Sequence, residues 1–352
     1  MKHRWVRWLP AVAVPAAIAA GAIVAPLAAG AADLPARSPQ DVLELVAASD
    51  ARAFSGTLEQ SSELGLPELP TTGRTGGADD SADSVLELVT ADHTAKVWAD
   101  GPAHLRVQIL DRLAERDAIR DGSDLWLYES TGKKVVHATV PERGEQAPTP
   151  DATATTPSAL AQRFLAAVDP STEVTLGSPT SVAGRDAYDL VLTPRTDATL
   201  VGRVSIAVDG QTGIPLRVQV TARGASAPAF EAGFRSFSDK RPAADVFSFT
   251  PPAGASVTEK SLHGRPADGA VPHPEPTVTG TGWATVVQLP AGSFPTEATS
   301  DPLFAQLTQP VDGGRALSTS LMSAFVTDDG RVFAGAVPVS ALQSAAQQSA
   351  TK

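Results

Sequence analysis

The sequence predicts an α+β fold, mostly antiparallel β, in which a large sheet with few covering helices precedes a smaller α+β unit. Three observations predict it. Short segments alternate apolar and polar residues, as a strand with one buried face does. Turn signatures rich in Gly, Asp and Pro separate those segments. A proline-dense interval, Pro251 to Pro276, divides a chain whose 352 residues suggest two units.

Residues 1–32 read as a targeting segment. Lys2, Arg4 and Arg7 precede the uncharged run Leu9 to Ala32, and Ala29-Gly30-Ala31 offers small residues for cleavage near Ala31, so the segment reads as a signal peptide or, uncleaved, as an N-terminal anchor long enough to span a bilayer. The first unit, residues 33–250, opens with a helix: Ser38 can cap it, Pro39 suits its first position, and Leu43, Val46 and Ala47 share one face. Alternation marks strands over Phe54 to Gln60, with Phe54 and Leu58 on one side, and over Leu105 to Ile109, with Leu105, Val107 and Ile109 together.

Asp121-Gly122-Ser123-Asp124-Leu125-Trp126-Leu127-Tyr128 followed by Glu129 to Lys134 and Val135 to Thr139 is a turn, strand, turn and returning strand. A second helix is expected from Ser158 to Val168, where Leu160, Phe164, Ala167 and Val168 form a stripe. Strands follow at Tyr188 to Thr193, carrying Leu190 and Leu192, at Val204 to Val208 with Ile206, and at Leu216 to Thr221 with Val218. Asp209 to Gly213 turns the chain between the last two. Phe247 to Thr250 reads as a strand stopped by Pro251 and Pro252, residues that do not continue a sheet. The stretches Leu64 to Asp83 and Pro141 to Thr156 have loop composition.

After the linker, residues 251–276, the smaller unit occupies residues 277–352. Trp283 to Leu289 reads as a strand, Asp328-Asp329-Gly330 as a hairpin turn between Leu321 to Val326 and Val332 to Ala336, and Val337 to Gln343 as the entry to a terminal helix. Many one-sided strands and few helices leave an apolar surface that is either filled by side chains or holds a lipid-sized ligand; patterning alone leaves both readings open.

The hairpin from Asp121, the mid-chain helix from Thr156, the strands at 188–218 and the terminal Phe247-Ser248-Phe249-Thr250-Pro251-Pro252-Ala253-Gly254, in that order, resemble the bacterial lipoprotein-carrier family LolA and its relative, the sigma-factor regulator RseB, over about residues 38–258. The ending, a Gly-x-Val-Pro turn before an Ala-rich helix, is similar to the small C-terminal domain of RseB. The resemblance implies an unclosed half β-barrel with a helical lid, which binds acyl chains and performs no covalent chemistry. On that expectation the cavity or lid residues are Phe54, Leu58, Leu105, Val107, Ile109, Leu160, Phe164, Leu190, Leu192, Val204, Ile206, Leu216 and Val218. One departure stands out. Where the carriers place a basic residue before proline to hold the lid, this chain has Gly101-Pro102. The expected function is therefore an exported lipid or lipoprotein binder of carrier type. The alternative is an RseB-like sensor acting on a membrane-bound protein partner through its second unit, and a third reading is a structural envelope protein with a filled core.

Composition narrows the classes. With 28 Lys and Arg against 39 Asp and Glu the net charge is −11, and removing the three basic residues of the targeting segment makes it −14. Such a chain is repelled by nucleic acid, whose binding needs cationic neutralisation. Cysteine is absent from the sequence, so a thiol nucleophile, a Cys metal site and a lipobox are excluded. There is no G-x-S-x-G elbow; Gly280-Thr281-Gly282 lacks the third glycine of a dinucleotide fingerprint, and Ser130-Thr131-Gly132-Lys133 matches S-x-x-K from within a predicted turn. His93, His104, His137, His263 and His273 lack the spacing of a zinc helix, and Asp79-Asp80 and Asp328-Asp329 lack the ligand series of a calcium loop. The expectation is a binder with no cofactor or metal.

Overall fold

The computed structural model describes residues 34–49, 53–66, 92–101, 103–110, 114–139, 170–261, 276–289 and 302–350. The targeting segment, the lid helix expected at Ser158 to Val168 with Leu160 and Phe164, and Pro102 lie outside the described residues, as do residues 67–83 and 141–156 of the two loops.

Helix α1, Pro39–Ala47, begins as expected: Ser38 Oγ accepts from the Asp41 N–H at 3.2 Å while Asp41 Oδ2 accepts from the Ser38 N–H at 2.8 Å, which satisfies two backbone donors reciprocally. The first unit then supplies β1 (Ala53–Ser62), β2 (His93–Asp100), β3 (His104–Leu110), β4 (Glu115–Asp121), β5 (Asp124–Glu129), β6 (Lys134–Thr139), β7 (Thr172–Leu176), β8 (Thr180–Val182), β9 (Arg185–Pro194), β10 (Val201–Asp209), β11 (Pro215–Ala222), β12 (Pro228–Ser238) and β13 (Ser256–Ser261). They form one sheet in the order β13-β6-β5-β4-β3-β2-β1-β12-β11-β10-β9-β7, with β8 also on β9. Neighbours are antiparallel except β13 on β6, and the two ends do not pair with each other. The sheet is therefore unclosed, as the half-barrel expectation requires.

The second sheet runs β14-β15-β19-β18-β17-β16, built from Thr277–Thr279 (β14), Val286–Leu289 (β15), Gln309–Val311 (β16), Gly314–Ser318 (β17), Ser323–Thr327 (β18) and Val332–Gly335 (β19). Helix α2, Pro302–Leu307, precedes β16, and α3, Val339–Ala350, packs Leu342 and Ala346 on Phe325 and Phe333.

Two expected strands differ. Ala244–Phe247 is a 3₁₀ turn that buries Phe247, and residues 248–255 stay unpaired until β13, because Pro251 and Pro252 bring no N–H to a ladder. Likewise Gly282–Ala284 is a 3₁₀ turn, which frees Trp283 to reach across to β7. The interval read as linker contains β13, Ser256–Ser261, so part of it extends the large sheet.

The two sheets touch. The Trp283 indole N–H donates to Thr172 Oγ1 at 2.8 Å, the Leu200 and Ser320 N–H groups donate to the carbonyls of Ala336 and Leu64, and Leu321 sits at 7% exposure in the main core of the first sheet. Gly213 fixes the docking of α1: it takes φ +75°, and a Cβ there would lie 2.3 Å from the Leu45 carbonyl oxygen, so the turn approaches the helix closely only as glycine.

Strand β13 is fastened from the side. On β6 the His137 ring is hydrogen-bonded to Asp124 at 2.8 Å and to Glu259 of β13 at 2.7 Å, with the carboxylates as acceptors, and it lies flat on Trp126 with centroids 3.8 Å apart. The hydrogen bond with Asp124, opposed by partial burial and aided by Glu259, holds the imidazole above its ordinary value of 6.5. A raised folded value means that the contribution to stability is complete below the unfolded value and fades as pH rises through the folded one. We expect Trp126 fluorescence to change with a midpoint above pH 6.5, and the change to vanish in His137→Gln. A midpoint at or below 6.5 would show that the two carboxylates do not hold this ring.

Candidate ligand-binding face

The face of the large sheet that carries α1, here the inner face, can be followed by register. Leu190 pairs with Ile206, Ile206 with Val218, Val218 with Ala232, and Ala232 with Gln60. Leu192 and Val204 pair alongside. Two residues from Gln60 on the same side, Leu58 pairs with Ala95 and Ala95 with Ile109; Phe54 pairs with Ala99 and Ala99 with Leu105. The row continues from Val97 through Val107, Ala118 and Leu127 to Val136. Phe54, Leu58, Leu105, Val107, Ile109, Leu190, Leu192, Val204, Ile206 and Val218 thus share one face. Leu216 stands where β10 and β11 slip register, next to Ala207 and Val208.

Burial divides that face. Over β9 to β12, Val42 and Val46 of α1 pack on Leu190, Leu192, Val204, Ile206 and Val218, with Leu321 added from the second unit, and every one of these is buried. This part is a filled core. Phe54, Leu58 and Leu216 are buried in a second cluster with Phe234, whose ring presses so closely on Gly56 that a Cβ there would lie 2.6 Å from it. Leu105, Val107 and Ile109 pack on that cluster's edge and are only half buried. Beyond them Ala118, Leu125 and Val136 are half buried and Leu127 is 44% exposed. The inner face therefore runs from a plugged half to an accessible apolar half over β3 to β6.

The outer face of the same strands has different chemistry. Arg106, stacked over Trp98, donates to Asp117 at 2.7 Å and to the Val246 carbonyl at 3.2 Å, and burial pushes the Asp117 carboxyl above its ordinary range against the pull of Arg106. Phe247 meets His104, and Phe249 meets Trp126 and Tyr128. The chain end of the first unit, residues 244–250, thus covers the outer face of these strands.

Ser130 of the S-x-x-K match lies in the β5–β6 turn, where its Oγ accepts the Glu115 N–H at 2.7 Å, and Lys133 takes φ 49° in the same turn. A cavity of about 150 Å³ between residues 34–37 and Leu176, Gly177, Pro179, Tyr188 and Asp189 is smaller than the roughly 300–1,000 Å³ of ordinary ligand pockets. No group of metal-ligating side chains and no membrane-spanning helix is found among the described residues.

Sequence reading missed Ala118, Leu127 and Val136 as members of the open half. Leu127 and Val136 were in a recognised hairpin, but β4 was not read as a strand because five of its seven residues are charged. Its signal is the sign of the charges: Glu115, Asp117 and Asp121 alternate with Arg116 and Arg120 at the period of a strand.

No family model matches the sequence, and no curated protein matches it. Among solved structures the chain is similar to the Pseudomonas aeruginosa MucA/MucB complex, with 15% identity, 86% of this chain and 95% of that chain covered, and a TM-score of 0.43. It is similar to an uncharacterized conserved protein of Thermus thermophilus, with 12% identity, coverage of 63% and 98%, and a TM-score of 0.35. A LolA-superfamily protein of Nitrosomonas europaea aligns at 12% identity, with coverage of 61% and 99% and a TM-score of 0.24. All three scores lie below 0.5, so the functional reading rests on the chain's own residues.

Proposed function

We propose that this chain is an exported, non-enzymatic binder of acyl chains, which rest on the inner face over β3 to β6. The observation that carries the reading is the apolar row Val107, Ala118, Leu127 and Val136, half buried except for the exposed Leu127 and continuous by register with the cores of the same face. An apolar surface so placed gains about 0.8 kcal/mol for each methylene a ligand buries. A chain of a dozen carbons thus offsets the several kcal/mol that association costs. Native mass spectrometry of the exported chain tests this directly, with co-purified or added fatty acid retained at one or two copies as the expected result. Failure to retain any acyl ligand at saturating concentration removes the reading.

A second reading, a sensor acting on a membrane-bound protein partner, is favoured by one observation: the second unit inserts Leu321 into the core of the inner face and hydrogen-bonds β7 through Trp283. A unit so attached is placed to respond to what that face holds. Ligand-dependent change in Trp283 fluorescence separates sensor from simple carrier.

A further inference from the structure

The outer face of β3 to β6 is closed by the chain's own return. After the 3₁₀ turn Ala244–Phe247, which packs on β3 and β4, residues 248–255 make no ladder, and β13 then lies along β6. Beneath this return the pairing lines up Trp98, Arg106, Ile119, Trp126 and His137 as one row, in which Ile119 is fully buried. Two polar fastenings hold it. At its start Arg106 donates from Nη1 to the Val246 carbonyl at 3.2 Å and from Nη2 to Asp117 Oδ2 at 2.7 Å, so one guanidinium ties the turn to a carboxylate. At its end Glu259 of β13 bonds the His137 ring, which also holds Asp124. Between them Phe247 is 2% exposed beside His104, and Phe249 rests on Trp126 and Tyr128.

We propose that residues 244–261 form a proton-latched strap over the outer face, fastened through Val246, Arg106 and Asp117 at one end and through Glu259 and His137 at the other, which seats in acid and loosens as pH rises. The proposal is independent of acyl binding. Asp117 is incompletely satisfied where it stands: its side chain is 2% exposed, and its Oδ1 and the Arg106 Nε are buried without a hydrogen-bond partner among the described residues. A proton on Oδ1 removes the cost of holding that carboxylate charged in its dry site. The groups around Asp117 are Glu115 on its own strand, Arg106 on β3 and Tyr128 opposite it on β5, while Asp245 of the turn is exposed. Those around His137 are Asp124 and Glu259; His104 pairs with Asp121 at 3.2 Å, and the exposed Arg241 meets Asp100 at 3.3 Å where the chain enters the strap.

Burial raises the Asp117 carboxyl above 3.8 against the pull of Arg106, and the bond with Asp124, aided by Glu259, raises His137 above 6.5. Release of the strap removes part of each cause, since the turn covers β3 and β4 and β13 carries Glu259. A group that holds its proton more tightly in the seated state favours seating when protonated, so both ends tighten in acid and relax as pH rises through the raised values. They act in the same sense, with about a factor of ten in the seating equilibrium for each unit by which seating raises a value. The stretch between them opposes release weakly, because it has no ladder bonds and Pro251 and Pro252 bring no N–H.

Hydrogen exchange of the full chain, read by mass spectrometry from pH 4 to 8.5 and corrected for intrinsic rates, tests the strap with β9 to β11 as internal reference. Protection over residues 244–261 is expected to fall at least about fivefold as pH rises, while the reference stays flat. His137→Gln should flatten the profile over β13 and leave that over residues 244–250, and Asp117→Asn should do the reverse. The wild-type profile and His137→Gln decide the matter even where Asp117→Asn does not fold. A flat wild-type profile, or protection that grows with pH, overturns the proposal. So does an unchanged β13 profile in His137→Gln, or a reference that falls in parallel, since loosening would then belong to the whole sheet.

Discussion

Replacement of Ile206 by Asp is expected to abolish cooperative folding, whereas Leu127→Asp abolishes acyl binding in a chain that still folds. Both positions face inwards, but Ile206 is 3% exposed in the core with Val42, Leu190 and Val218, and Leu127 is 44% exposed. A carboxylate at Ile206 has no described cation within its apolar cluster, and burying it costs about 4 kcal/mol or more. That is a large share of the roughly 5–15 kcal/mol that holds a domain folded. At Leu127 the new carboxylate stays hydrated, so the stability change should remain within about 1 kcal/mol while an anion stands in the centre of the row that the ligand must cover. Urea unfolding followed by circular dichroism, together with titration of a fluorescent fatty acid, measures both. Wild-type affinity in Leu127→Asp would move the site away from this row, and a wild-type urea midpoint in Ile206→Asp would contradict the core.

The second large effect is expected at Asp209, the last residue of β10 before the turn to β11. Its carboxylate is 1% exposed and accepts from Arg185 Nε at 2.9 Å, Arg185 Nη2 at 2.7 Å, the Thr212 N–H at 2.9 Å and the Thr212 hydroxyl. Burial acts to raise its pKa, yet the bonds from Arg185 and Thr212 outweigh burial and hold it below the ordinary 3.8. Asp209→Ala leaves the buried part of Arg185 without its main partner, for which a cost of about 3–5 kcal/mol is expected. Asp209→Asn keeps an acceptor for Thr212 and should lose less. A depressed folded value also fixes the pH dependence. The contribution of Asp209 is complete above the unfolded value near 3.8 and is lost as pH falls through the folded one. The stability gap between wild type and Asp209→Asn should therefore be constant from pH 7 to about 5 and shrink below 4. A gap that stays constant down to pH 2 would show that the pair does not set this carboxyl.

Much of the inner face was legible in the chain. Alternation at 54–60, 105–109, 188–193 and 204–208 identified which side chains point the same way, because a strand's period of two is written directly into its apolar residues. The Ser38-Pro39 helix start was equally readable, since capping depends on residues within one turn. β4 was not, because its inner and outer positions are both charged and only the sign alternates. Nor was the 3₁₀ turn at Ala244–Phe247, where local β propensity yielded to burial of Phe247 against the outer face.

The sequence by itself determined the class, the strand faces, the acidic balance and the exclusion of thiol and cysteine-metal chemistry. Only the tertiary structure decided which inner residues are available. Leu190 and Val107 are both apolar positions on the inner face of their strands, yet α1 and Leu321 cover the first while the second stays half open. That difference is made by segments more than a hundred residues away in the chain, and burial by a distant element leaves no mark on local periodicity. The alternation of charge sign along β4 was present in the residues, but only strand pairing revealed that Ala118 lies beside Leu127.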